Sequence, residues 1–135
     1  MENIKFRNDI GVDFDKILKL YNDVGWTAYT KNPTQLEKAL KNSLNIWTAW
    51  NKDNMVGLAR VVGDGVSIIY IQDILVLKKY QGKGIGSKLL ELMLDDYQEV
   101  RQIILLTQNS DKTIKFYKKN GLVEVSEYNC VAFMK

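Results

Sequence analysis

The chain has 135 residues, 46% hydrophobic and 26% charged, with one proline and a formal net charge of +3. That length suits one domain with a real hydrophobic core, and so weak a positive charge is poor support for a nucleic-acid surface. The sequence has no histidine, which removes Ser-His-Asp and Cys-His nucleophilic sites and any His-containing zinc site.

The single cysteine, Cys130, removes thiolate metal clusters and intrachain disulfides. No metal is expected, and proton transfer must run through carboxylates, Tyr, Lys or water. No stretch approaches the roughly 20 apolar residues that span a bilayer, so no membrane partner is expected. The N-terminal MENIKFRNDI lacks the charged-then-apolar design of a secretory signal. With the lone cysteine, this predicts a cytoplasmic protein.

In chain order, NIKFRN (3–8) alternates polar and apolar residues like a short strand. Phe14, Ile17, Leu18 and Tyr21 recur at helical spacing between Asp13 and Val24. GWTAYT (25–30) reads as a loop carrying Trp26 and Tyr29. A second helix begins at Pro33, a favoured first-turn residue, and runs through Leu36 and Leu40. LNIWTAWN (44–51) and MVGLARVVG (55–63) flank the turn-forming KDN as a hairpin. Asp64-Gly65 signals a second turn before the long strand VSIIYIQDILVL (66–77). Ile85, Leu89, Met93 and Tyr97 mark a helix, and the wholly apolar IILLT (103–107) a strand buried on both faces. Ser110 can cap a helix through Lys119 that Asn120-Gly121 stops, and VEVSEYNCVAFMK offers one or two final strands. The order β-α-α-β-β-β-α-β-α-β predicts a single-domain α/β fold over residues 1–135, with a mixed sheet and helices on both faces.

The segment DILVLKKYQGKGIGSKLLELML (73–94) carries the chemistry. Gly82, Gly84 and Gly86 let the backbone curl and a ligand approach. The first N–H groups of the following helix point outward unpaired and suit phosphate oxygens. Lys78, Lys79, Lys83 and Lys88, with Lys112, Lys115, Lys118 and Lys119, suggest a local anionic ligand, or simply a solvated basic face. Neither G-x-x-x-x-G-K-[ST] nor G-x-G-x-x-G is present, so the P-loop and the dinucleotide fingerprint do not apply.

Gln81-Gly82-Lys83-Gly84-Ile85-Gly86 resembles the Q/R-x-x-G-x-G/A signature of the GNAT superfamily of N-acetyltransferases, in its strand–turn–helix context. Lys115-Phe116-Tyr117-Lys118-Lys119-Asn120-Gly121-Leu122 resembles a second block of that family, with Leu122 where Phe is frequent. GWTAYT, LKNS and ARVVGDG are similar to a subgroup that includes plastid acetyltransferases acting on arylalkylamines and lysines. The resemblance implies acetyl-CoA as co-substrate. It places the diphosphate on the backbone of Gly82, Lys83, Gly84, Ile85, Gly86 and Ser87, with Gln81 and Ser87 in support. It implies a pantetheine arm pairing with Leu75, Val76 and Leu77 and touching Asn109, and Tyr117 near the thioester sulfur.

Transfer to an amine needs a polarised thioester carbonyl, a proton donor for the leaving thiolate and a base for the ammonium. A backbone N–H near Leu75 or Val76 suits the first and Tyr117 the second. Asp73, which interrupts an apolar strand, suits the third, directly or through water. Trp26 and Tyr29 are the expected walls of the acceptor pocket. Core packing explains these aromatics equally well, and a turn hydrogen bond explains Asp73. The acceptor is expected to be a small amine, an amino acid, or a protein lysine or N-terminus. Two alternatives stand beside this: a non-catalytic acyl-CoA-binding module, and acetylation of a tRNA-linked amine. Exposed strand edges near the C-terminus suggest a homodimer.

Overall fold

The computed structural model describes residues 3–8, 11 and 13–135. One five-stranded sheet runs in the order β1 (Ile4–Arg7), β2 (Asn45–Asn51), β3 (Asn54–Gly63), β4 (Ile68–Val76) and β5 (Gln102–Ile104). The first four strands are antiparallel neighbours, and β5 joins β4 in parallel. Helices cover both faces, as expected, because each face buries its own apolar set.

On one face, α1 (Phe14–Asp23) and α3 (Pro33–Lys41) bury Ile17, Leu20, Tyr21, Leu36 and Leu40 against Trp50, Leu58 and Leu75. Asp13 caps α1 by accepting from the Lys16 N–H, and Asn32 caps α3 by accepting from the Gln35 N–H. On the other face, α4 (Ile85–Asp96) sets Ile85, Leu89, Leu90 and Met93 on Ala49, Val61, Ile69 and Ile71. Phe116 and Tyr117 of α5 (Asp111–Lys119) pack at its edge.

One ladder irregularity matters. The β3–β4 register steps from Arg60 opposite Asp73 to Val61 opposite Ile71, leaving Gln72 as an extra residue on β4. Side-chain parity reverses there. Ile69 and Ile71 before the bulge, and Ile74 and Val76 after it, therefore all face the α4 side, while Asp73 and Leu75 turn to the α1–α3 side.

Three expectations are corrected. GWTAYT is not a loop throughout, since Thr27–Thr30 form a short helix, α2. The 103–107 strand is shorter and only half-buried: the ladder ends at Ile104, and the Leu106 N–H donates to the Tyr70 hydroxyl (3.1 Å) rather than to β4 backbone. No final strand forms. Residues 122–135 hold only a 3-10 turn at Val125–Tyr128, after which Asn129 takes a left-handed φ of 57°. The apolar alternation that suggests strands there finds no strand beside it among the described residues.

Candidate active site

β4 continues to Val76, but its pairing with β5 stops at Tyr70–Ile104. From Ile71 onward β4 therefore presents an open edge of N–H and C=O groups. Tyr70 holds the divergence, because its hydroxyl takes the Leu106 N–H and turns the chain away from β4. The gap is a cleft of about 790 Å³, lined by Ile71–Gln72 and Ile74–Val76 on one wall and Leu106–Gln108 on the other.

The 81–87 turn closes one end. Gly82 and Gly84 adopt φ of 80° and 86°, a left-handed conformation that suits glycine, and a Cβ on either would meet no protein atom within 4 Å. Both glycines are part of the cleft lining. Gly84 is also the N-cap of α4, and no side chain caps this helix, whereas Asp13, Asn32 and Ser110 cap α1, α3 and α5. The first intrahelical bond reaches Lys88, leaving the N–H groups of Ile85, Gly86 and Ser87 without helix partners. The dipole adds about half a positive charge at this end. Among the described residues, the charged side chains on the lining are Lys112 and Lys119. An anionic ligand fits this end on all three counts.

Tyr117 lines the cleft from α5, edge-on to Phe116 with ring centroids 5.0 Å apart. Burial, then the neighbouring Tyr70, pushes its phenol above the ordinary range, so it stays protonated at neutral pH.

At the opposite end, Tyr21, Trp26 and Tyr29 form a stack, with centroids 5.2 Å apart for Tyr21–Tyr29 and 6.1 Å for Trp26–Tyr29. Beneath it lies Asp73, whose side chain is 1% exposed. Its Oδ2 accepts from the Tyr21 hydroxyl (2.7 Å) and Arg60 Nε (2.8 Å), and its Oδ1 from the Tyr29 hydroxyl (3.1 Å). Tyr29 in turn accepts from Gln72 Nε2 (3.0 Å), and Arg60 Nη1 donates to Ser43 Oγ (3.2 Å). Burial pushes both phenols up and the Asp73 charge adds to it, so each remains a donor. Burial alone would lower Arg60, but the Asp73 charge and hydrogen bond outweigh it and hold the guanidinium above its ordinary value.

Of the expected site residues, Trp26, Leu75, Val76, Gln81, Gly82, Gly84, Ile85, Gly86, Ser87 and Tyr117 share the one cleft. The Gln81 side chain donates to the Val76 carbonyl (3.0 Å), and Ser87 Oγ accepts from Asn120 Nδ2 (3.2 Å), so both brace the turn. Lys83 lies off the lining, with its ammonium 5.2 Å from the Tyr80 ring centre. Leu77 and Asn109 also lie off it, though Gln108 and Ser110 on either side of Asn109 are part of it. Tyr29 and Asp73 sit one layer below Trp26 and Gln72. Sequence reasoning missed Tyr21, Arg60, Tyr70 and Gln72. Arg60 carried a signal: it is a lone charge in an apolar strand.

The family model for an acetyltransferase (GNAT) domain matches residues 42–124, which include β2 to α5 and all of the cleft lining except Val24 and Trp26. The chain belongs to the GNAT superfamily. As a GNAT protein it is an acyltransferase. It is similar to a GNAT-family acetyltransferase of known structure from Streptococcus pneumoniae TIGR4, with 38% identity and a TM-score of 0.87 over 100% of this chain and 97% of that one. A ycf52-like N-acetyltransferase from Prochlorococcus marinus is 29% identical over 90% of this chain and 69% of its own length. A chloroplastic GNAT protein of Arabidopsis thaliana is 25% identical over 87% of this chain, which spans 59% of that longer protein.

Proposed function

We propose that this GNAT domain, formed by residues 1–135, moves an acetyl group from acetyl-CoA directly to a primary amine. The observation that carries this is the uncapped N-terminus of α4, opening between two left-handed glycines into the gap where β4 and β5 part. Acetyl-CoA supplies an activated acetyl thioester.

The chain's residues do the rest. N–H groups at 84–87, with Lys112 and Lys119 nearby, hold the diphosphate; Gln81 and Ser87 keep the turn in shape. The open edge at Leu75 and Val76 takes the amide-bearing arm as an added strand and offers an N–H to the carbonyl oxygen. The Tyr117 hydroxyl hydrogen-bonds the departing sulfur and gives it a proton. Trp26 and Gln72 border the acceptor, and Asp73 accepts a proton through the Tyr29 hydroxyl that links it to the cleft. The substrate range is a small amine, an amino acid, or a protein lysine or N-terminus. A lone exposed Cys130 fits a reducing compartment such as the cytoplasm.

The test is calorimetry with coenzyme A on the intact chain and on Gly84→Val, alongside thiol release against an amine panel. A β-branched residue at φ 86° is strained, costing about 1–2 kcal/mol, and its side chain enters the phosphate cradle. Affinity is expected to fall about 10- to 100-fold. Unchanged affinity in Gly84→Val, or no heat of binding at all, sinks the proposal.

A further inference from the structure

We infer that Gln72 anchors the acceptor amine through its side-chain carbonyl, and that the acceptor carries a single charge on an apolar body rather than being a polycation. This rests on the amine-acetylating reading above and names the substrate class for that same cleft. The bulge on β4 leaves Gln72 without a β3 partner, exposed and on the cleft lining. Proton counting fixes which way its amide lies. Burial and the Asp73 charge keep the proton on Tyr29, whose hydroxyl donates it to Asp73 Oδ1 (3.1 Å). A phenol has one proton, so toward Gln72 that oxygen can only accept. The group 3.0 Å away is therefore the Gln72 NH2 and not its carbonyl.

Gln72 Oε1 is left as the outer end of a chain that runs from Arg60 through Asp73 and Tyr29. No described residue donates to it. Each bond in such a chain polarises the next, which makes the terminal oxygen a better acceptor. An amide oxygen holds an N–H without taking the proton. A carboxylate in its place would favour the ammonium over the free amine that attacks the thioester. A neutral anchor leaves that balance closer to its value in water.

Charge on the cleft wall points the same way. Among the described residues the lining holds Lys112 and Lys119 and no carboxylate. Asp73 is covered, with a side chain 1% exposed and compensated by Arg60. Asp23, next to Val24 of the lining, accepts the Lys78 N–H (2.7 Å). A second or third ammonium on the acceptor therefore leaves water without meeting a counter-charge, which is costly. Val24 and Trp26, the latter stacked on Tyr29, offer an apolar body a surface instead.

Thiol release from acetyl-CoA is measured with hexylamine, 1,6-diaminohexane and spermidine, which carry increasing charge. From the first to the last, kcat/KM is expected to fall about tenfold or more. Gln72→Met keeps the side chain's length and loses its carbonyl. It is expected to raise the KM for hexylamine about 5- to 10-fold and to leave the KM for acetyl-CoA unchanged. Gln72→Glu should narrow the preference for hexylamine over spermidine about 3- to 10-fold, which a purely structural role would not do. An unchanged KM for hexylamine in Gln72→Met overturns the inference, as does spermidine turned over as readily as hexylamine by the unmodified chain. A titration followed by nuclear magnetic resonance needs no turnover. Hexylamine added to the protein with coenzyme A in excess should shift the Gln72 side-chain amide signals. The absence of a shift overturns the inference whether or not any amine is acetylated. A shift without thiol release sinks the proposed activity and leaves the anchor standing.

Discussion

Tyr117→Phe is expected to lower turnover about 100-fold and to leave the affinity for coenzyme A within experimental error. The change removes one oxygen from a residue that lines the cleft, and keeps the ring that packs edge-on against Phe116. No hydrogen bond to another described residue holds that hydroxyl, so its loss leaves no orphaned partner in the protein. The size of the effect follows from acidity. A simple thiol has a pKa near 8.5 and a phenol near 10. Burial and Tyr70 push this phenol higher still, so full transfer to the thiolate runs uphill. Much of the benefit is then a hydrogen bond to developing charge. That places the loss at the low end of the usual 10²–10⁴ range for general acids.

The pH profile separates this role from a packing role. The unmodified chain should gain activity from neutral pH upward, as the acceptor amine loses its proton, and decline only where the phenol ionises, above pH 10 or so. Tyr117→Phe should keep the rising limb and lose the high-pH decline. Turnover within threefold of the unmodified chain, with the decline intact, assigns the proton to another group. Loss of turnover together with coenzyme affinity would mean that the cleft had collapsed, which unfolding by urea would reveal.

Much of the layout was legible because local signals and tertiary context agree. Asp13, Asn32 and Ser110 are capping residues by type, and each accepts a backbone N–H at the start of its helix. The turn at 81–87 showed itself through glycines between a strand and an amphipathic helix, and no side chain caps the helix it starts. Periodicity was less informative where a chain segment depends on what lies beside it. IILLT is apolar throughout, yet the ladder ends early because a hydroxyl on a different strand captures the Leu106 N–H. VEVSEYNCVAFMK has strand composition but pairs with no strand among the described residues. The bulge at Gln72 was invisible for a similar reason, since a register step belongs to two strands together. It decides that Asp73 turns away from the cleft side and toward Arg60. Asp73 was noticed as a charge out of place, and its setting could be known only with its partner.

That partnership sets the largest expected stability effect. Asp73→Asn should cost about 3–5 kcal/mol, the usual result of removing one member of a buried ion pair. The Arg60 and Asp73 side chains are 5% and 1% exposed, so water cannot take the place of the lost charge. Asparagine also offers one acceptor oxygen where three donors converge, and its amide protons would face other protons. Domains of this kind hold only about 5–15 kcal/mol in total, so urea denaturation should move well to lower concentration. Replacing both members with apolar residues, as in Arg60→Met/Asp73→Leu, should recover much of the loss, because the cost lies in the uncompensated charge. Alkaline pH probes the same network. Tyr21 keeps its proton when folded, through burial and the Asp73 charge, but loses it near pH 10 when unfolded. The stability this supplies is complete below that pH and declines as pH rises above it, an alkaline sensitivity that Tyr21→Phe should reduce. Tyr29→Phe divides structure from catalysis, since it leaves the Arg60–Asp73 pair and the Tyr21 bond in place and removes the hydroxyl that joins Asp73 to Gln72 on the cleft wall. If turnover falls while the urea midpoint holds, Asp73 takes part in proton removal through that phenol. If turnover is unchanged, the carboxylate serves as a buried counterion, and the base is a water molecule or the acceptor's own equilibrium with solvent.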